Sequence, residues 1–211
     1  MSAEQASADA IRAAYSRIRD EVGAGITIVA ATKYASLEQM ALLAEVGVEV
    51  VGENRAQDLE RKHAVYGDAF RWHFIGRLQS NKTKVVNRIC ELVHSLDSES
   101  AARRLTAPAL VEVNLSGEGS KGGIAPEALA DFLASFPDAR GLMTMPPAAA
   151  DPEASRPTFR RLRELATAHG LAELSMGTSQ DYRIAAEEGA TLIRVGAVLF
   201  GHVQGLAPDV A

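Results

Sequence analysis

The stretch ITIVAATKYASLEQMALLAEVGVEVVGEN, residues 26–54, carries the pattern that decides the fold. It opens on a short apolar run, ITIVAA (26–31). A helical segment follows at 37–45, with Ser36 as its candidate N-cap. A second apolar run, VEVV (48–51), comes next, and another helical segment, 54–64, starts where the stretch ends. Strand, helix, strand, helix in that order predicts parallel strands joined by helical crossovers.

The pattern continues outward. Runs of strand length recur at WHFI (72–75), LVHS (92–95), ALVEVN (109–114), ARGLMT (139–144), ELSM (173–176) and TLIRV (191–195), which makes eight. Helical segments are predicted between them at 81–87, 99–105, 126–135, 153–169 and 180–188, with Pro126 suited to a first turn. Upstream, Ala8, Ile11, Tyr15, Ile18 and Val22 recur at helical spacing, so residues 3–22 predict an amphipathic helix. Eight strand–helix alternations in 211 residues predict an α/β fold: a single (β/α)8 TIM barrel over 1–211, with an extra N-terminal helix. An open doubly wound sheet is the competing arrangement. It usually needs fewer strands, and no G-x-G-x-x-G follows the first strand. Between Ser95 and Ala109 there is little room, so the helix there is expected to be very short. MPPAAADPEASRP (145–157) reads as a loop and helix start rather than a domain linker.

Composition narrows the classes. The formal net charge is −5 and the sequence pI about 5.6, which argues against a nucleic-acid partner. Cys90 is the single cysteine and lies in the apolar stretch RICELV, so it reads as a small core residue. One cysteine allows no disulfide framework within the chain. The N-terminus MSAEQASADA lacks a signal-peptide pattern and no apolar run is long enough to span a bilayer. A reducing cytoplasmic setting is the expectation, with no membrane partner. No metal-ligand spacing is present, and no metal is expected.

In a (β/α)8 barrel, chemistry gathers where the strands run out at their C-terminal ends. Those ends carry Thr32 and Lys33, then Gly52, Glu53 and Asn54, then Gly76, Arg77 and Gln79. They continue with Ser95 and Asp97, Asn114, Met143 and Thr144, the run from Met176 to Ser179, and Arg194 with Gly196. Two readings fit Lys33. Held among apolar walls, it would lose hydration, favour the neutral amine and form a Schiff base with a carbonyl. Alternatively it snorkels to solvent from a strand end. Ser179 lies where an N-cap is expected just before Gln180, and Gly196 lets backbone approach a ligand closely. Loops after strands seven and eight are the usual phosphate site of this fold, although each segment alone also fits ordinary capping and a tight turn. A Schiff-base lysine, a phosphate cradle and a mouth arginine together describe a pyridoxal 5′-phosphate site. Arg194 would donate to an unprotonated ring nitrogen, leaving the ring a poorer electron sink than one paired with aspartate.

The motifs resemble those of the pyridoxal phosphate homeostasis protein family, related to the N-terminal barrel of alanine racemase. ATKYAS (31–36) resembles the family's Schiff-base lysine segment. GENRAQDL (52–59), WHFIGRLQSNK (72–82), VHSLDS (93–98), VEVNLSGEGSKGG (111–123), GLMTM (141–145), LSMGTSQD (174–181) and RVGAVLFG (194–201) match further blocks in order. The resemblance implies a monomeric or weakly associating barrel that buffers pyridoxal phosphate without an established catalytic activity. It places Lys33 at the aldehyde, Ser179, Gly196 and the Ala197 amide at the phosphate, and Arg194 near the ring nitrogen. Asn54, Asn114 and Met176 would line the pocket, and Lys82 with Lys121 would make the entrance basic. Three departures stand out. Ala197 replaces the family's usual hydroxyl residue, so a side-chain phosphate contact is lost and lower affinity is expected. Thr178 replaces a usual methionine. The connection containing AARRLTAP is shorter than usual.

Other residues have plainer readings. His73 reads as a satisfied core histidine, and His94 as core or as a residue near the ligand. Glu53 and Asp58 read as capping and surface groups, and Trp72 as packing. Two functions compete. One is a carrier that holds pyridoxal phosphate and passes it to apo enzymes that depend on it. The other is an amino-acid racemase, which needs a base on each face of the substrate carbon. Tyr34 and Tyr182 lie near mouth segments, only ten residues follow Gly201 and none is tyrosine, so the carrier is favoured. A Schiff-base aldolase acting on a sugar phosphate is a third reading, and it would be colourless.

Overall fold

The computed structural model describes residues 7–117 and 122–201. Eight parallel strands form a closed barrel in sequence order: β1 (Thr27–Ala31), β2 (Val50–Glu53), β3 (Arg71–Phe74), β4 (Leu92–Leu96), β5 (Ala109–Glu112), β6 (Ala139–Met143), β7 (Glu173–Ser175) and β8 (Leu192–Val195). Closure is explicit, because β8 pairs with β1 through Thr27↔Leu192 to Ala30↔Val195. That pairing removes both sheet edges and excludes the open doubly wound sheet. Each strand lies within about two residues of its apolar run, the boundary precision that local patterns allow.

Nine helices accompany the strands among the described residues. They are α1 (Ala8–Val22), α2 (Leu37–Val46), α3 (Ala56–Tyr66), α4 (Thr83–Ile89), α5 (Glu99–Ala102), α6 (Leu129–Ser135), α7 (Arg156–Ala168), α8 (Tyr182–Glu187) and α9 (Ala197–Phe200). The extra N-terminal helix is α1, which buries Ile11, Ala14 and Ile18 and packs against α2, α8 and α9. Positions 3–6 of that expected helix lie outside the described residues. Ser36 caps α2 as the sequence predicts. Its hydroxyl accepts from Gln39 N–H at 3.2 Å, while the Gln39 side chain accepts from Ser36 N–H at 2.9 Å. The cramped β4–β5 crossover holds only the four-residue α5. Pro126 and Pro152 open short 3₁₀ turns that lead into α6 and α7.

Two cores result from the alternation of side chains along each strand. The larger lies between strands and helices and contains Ile28, Ala30, Val51, Phe74, Val93 and Leu174, among others. The smaller fills the barrel itself: Val29, Val50, Leu92, Leu110, Met143 and Leu192. Both faces of each strand are buried, so the strands read as continuous apolar runs. Two residues beyond Leu92, Leu110 and Leu192 on the same inner face stand His94, Glu112 and Arg194. The next layer toward the C-terminal mouth is therefore polar.

Candidate functional site

Lys33 follows β1 in a turn closed by the Ala35 N–H donating to the Thr32 carbonyl at 2.9 Å. The lysine is half-buried, and its ammonium lies 4.7 Å from the ring centroid of Tyr34. That ring is itself 74% exposed. The lysine thus stands at the rim, backed by an aromatic face on its own side of the mouth.

Next to it on the rim, on the strand paired with β1, the turn from β8 into α9 presents backbone donors. Gly196 N–H and Val198 N–H both donate to Ser179 Oγ, at 3.1 and 3.3 Å. Sequence spacing placed Ser179 as the cap of the helix after β7. The structure instead starts that helix at Tyr182, with Asp181 at the N-cap. Asp181 holds the intervening turn by accepting from Thr178 N–H at 2.7 Å and from Ser155 Oγ at 2.8 Å. Ser179 is released to satisfy the neighbouring turn, where its oxygen sits as an anion oxygen would. Gly177 makes this possible. Its φ is +90°, and an added Cβ would meet Ala185 Cβ at 2.5 Å. Gly196 is required differently, since a Cβ there would lie 3.0 Å from the Ala31 carbonyl oxygen.

Arg194 is 6% exposed and reaches from β8 over the adjacent β7 to the end of β6. It donates through Nη1 to Ser175 Oγ and through Nη2 to the Thr144 carbonyl at 3.1 Å and Met145 Sδ at 2.9 Å. Burial pushes it down to about 10, while Glu112 and Asp181 act the other way. It remains a cation at neutral pH. Behind it runs a buried chain: Ser175 Oγ lies 2.7 Å from His94 Nδ1, and His94 Nε2 lies 2.9 Å from His73 Nδ1. A guanidinium only donates, so Ser175 accepts from it and passes its own hydrogen to His94 Nδ1. His94 Nε2–H then donates to His73 Nδ1, an assignment that gives each of these contacts one donor and one acceptor. Both imidazoles are neutral. Burial first, then the charges of His73 and Arg194, hold His94 well below its usual value, and burial takes His73 down to about 4.

Glu112 joins this layer from β5. Burial, then the Asp97 carboxylate, push it up to about 7 against the opposing charges of Arg194 and Arg77. Arg77 Nε stands 3.9 Å from Asp97 Oδ2. A cavity of about 570 Å³ opens between the ends of β2 and β3, and neither Lys33 nor Arg194 lines it. Asn54, Arg77, Gln79 and Lys82 line it, and Asn54 Oδ1 is buried without a hydrogen-bond partner among the described residues. Lys121 lies outside the described residues. Asn114 is half-buried, and its Oδ1 accepts from Ser116 N–H at 3.1 Å and Ser116 Oγ at 2.8 Å.

Several expectations change. Met176 is fully buried and packs in the core between strands and helices. Glu53 is not a surface or capping group. It ends β2 completely buried and pairs with Lys62 of α3. The Tyr182 hydroxyl faces away from the mouth chemistry and donates to Glu21 of α1. Glu112, Ser175 and the His73–His94 contact escaped sequence reading. The signal was present as period-two parity from Leu110, Glu173 and Leu92, but parity says nothing about which inner residues meet across a barrel.

The family model described as "Alanine racemase, N-terminal domain" matches residues 6–204. The chain is 42% identical over 177 residues to the pyridoxal phosphate homeostasis protein of Aquifex aeolicus, covering 74% of this chain and 78% of that protein. It is 41% identical over 207 residues to the protein of the same description in Pseudomonas aeruginosa, covering 90% and 89%. The structure of PipY from Synechococcus elongatus with PLP bound superposes with a TM-score of 0.82 at 29% identity, covering 90% of this chain and 100% of that one.

Proposed function

The chain belongs to the alanine racemase N-terminal domain family, among the pyridoxal phosphate homeostasis proteins, and on that premise we propose that it binds pyridoxal 5′-phosphate covalently at Lys33 and acts as a cofactor carrier and buffer. The observation that carries this reading is the convergence of complementary groups at one barrel mouth. Lys33 stands on the β1 side. Two backbone N–H groups on the β8 side already hold one oxygen, that of Ser179. The buried Arg194 cation is held on the same β8 side of the mouth.

Those residues fit the group. Pyridoxal phosphate supplies an aldehyde that condenses with a primary amine, and a ring that delocalises charge. Lys33 would hold the aldehyde. Gly196, Ala197 and Ser179 would hold the phosphate, with Ser179 turning from acceptor to donor as phosphate oxygens take over the backbone N–H groups. Arg194 would donate to the ring nitrogen. Asn54 and Asn114 would line the open side.

Support for a carrier rather than an enzyme comes from the same residues. An arginine that stays protonated leaves the ring nitrogen without a proton of its own, which weakens charge delocalisation. Tyr34 stacks beside Lys33 instead of facing it, and Tyr182 is engaged by Glu21. The same reading makes the protein a soluble cytoplasmic monomer that hands its cofactor to apo forms of enzymes that use it.

The test is a visible spectrum of purified protein with pyridoxal phosphate, then borohydride reduction and mass mapping. A reduced adduct at Lys33, absent in Lys33→Ala, is expected; an adduct elsewhere or none refutes covalent binding there. Glu112 favours one second reading, since a carboxyl that titrates near neutrality can exchange protons with a bound substrate. Sustained racemisation of alanine that Lys33→Ala abolishes would replace the carrier with an enzyme.

A further inference from the structure

Behind Lys33 lies a second lysine. Lys62 of α3 is 1% exposed and its partner Glu53 is 0% exposed. The Lys62 ammonium donates to Glu53 Oε1 and to the Thr32 carbonyl, each at 2.5 Å. Thr32 is gripped from every side. Its hydroxyl lies 2.6 Å from Glu53 Oε1 and 3.2 Å from the Gly52 carbonyl, and its N–H donates to that carbonyl at 3.0 Å. Its own carbonyl, already bound by Lys62, also accepts from Ala35 N–H and so closes the turn whose middle residues are Lys33 and Tyr34.

A buried ion pair is a poor device for stability. Desolvating two charges offsets most of their attraction, and apolar residues of similar volume often serve as well. This pair is not even complete, because Glu53 Oε2 has no hydrogen-bond partner among the described residues. What the arrangement does accomplish is geometric. It ties α3, β2 and the end of β1 to one carbonyl and one hydroxyl, immediately before the lysine at the rim.

We infer that Lys62 and Glu53 are positioning residues for Lys33: they lock the turn that carries it, so that its amine is held at the distance the cofactor aldehyde requires. The inference rests on the pyridoxal phosphate reading. In the step served, the neutral Lys33 amine adds to the aldehyde carbon. A C=N bond forms, the C=O bond breaks, and both amine hydrogens leave with the carbonyl oxygen as water. Lysine has four rotatable side-chain bonds, so its reach depends on how firmly its Cα is placed. A displacement of about 1 Å at a reacting group can cost on the order of 100-fold in rate.

The test compares two vitamers. Pyridoxal 5′-phosphate can attach to Lys33, whereas pyridoxine 5′-phosphate carries the same phosphate and ring but no aldehyde. Lys62→Met and Glu53→Gln disturb the pair, and Thr32→Val removes only the hydroxyl link while leaving the pair intact. The rate of attachment is followed by absorbance and by borohydride trapping at Lys33, with far-UV circular dichroism as the check on folding. The expected result is attachment slowed about tenfold or more with affinity for pyridoxine 5′-phosphate within about twofold of the parent. Equal losses for both vitamers, or no change for either, overturn the inference and leave the pair a structural element. If Lys62→Met does not fold, Thr32→Val decides by the same two readouts. A parent protein that is not labelled at Lys33 sinks the binding reading itself; a labelled parent with indifferent variants sinks only the positioning role.

Discussion

Replacing Glu112 with glutamine should remove a pH-dependent weakness from the fold. The carboxyl lies in the polar inner layer, where burial and Asp97 raise it from 4.5 to about 7. In the unfolded chain it titrates near the lower value. Between the two, the folded protein keeps a proton that the unfolded chain has released. Native stability from this group is therefore fully present below about 4.5 and is lost as pH rises through about 7. At 1.36 kcal/mol for each pH unit, the span corresponds to about 3 kcal/mol. Glutamine cannot ionise and keeps the shape, so Glu112→Gln should match the parent near pH 4.5 and exceed it by up to about 3 kcal/mol at pH 8. Urea unfolding followed by far-UV circular dichroism from pH 4 to 8 gives both curves. His73 and His94 titrate with the opposite sign in part of this window, because burial lowers them. They are common to both proteins and cancel in the difference. A difference curve flat in pH, or one in which the parent gains with rising pH, would refute the reasoning.

Three further outcomes are expected. Ala197→Thr should restore a hydroxyl beside the phosphate and tighten pyridoxal phosphate binding about tenfold, on the order of 1.4 kcal/mol; titration by absorbance checks this, and unchanged affinity would place the phosphate elsewhere. Gly177→Ala forces a side chain into φ +90° and a 2.5 Å approach to Ala185 Cβ, and should cost about 2 kcal/mol or more in a urea midpoint. His94→Leu leaves Ser175 Oγ without its acceptor and His73 Nδ1 without its donor, and should destabilise by about 1–3 kcal/mol; a neutral result would show that the chain relaxes or is replaced by water.

The sequence by itself determined the barrel. Eight apolar runs at strand length, separated by segments at helical spacing, leave few packings that bury both faces of every strand, and ring closure is the one that removes the edges. The rim composition was equally legible, because strand ends are local: Lys33, Arg194 and Gly196 stand at the ends of β1 and β8, where the runs stop. What only tertiary structure decided is which distant groups meet. Ser179 caps the β8–α9 turn rather than its own helix, since Asp181 takes that post. Glu53 is claimed by Lys62 from α3, beneath a threonine 30 positions before that lysine. Met176 turned to the outer core because strand parity put it opposite Ser175. The His73–His94–Ser175–Arg194 chain joins four strands across the barrel interior. Local spacing fixes the face on which a side chain emerges. The partner it finds there depends on the register of strands far apart in the chain, and that register is set only when the ring closes.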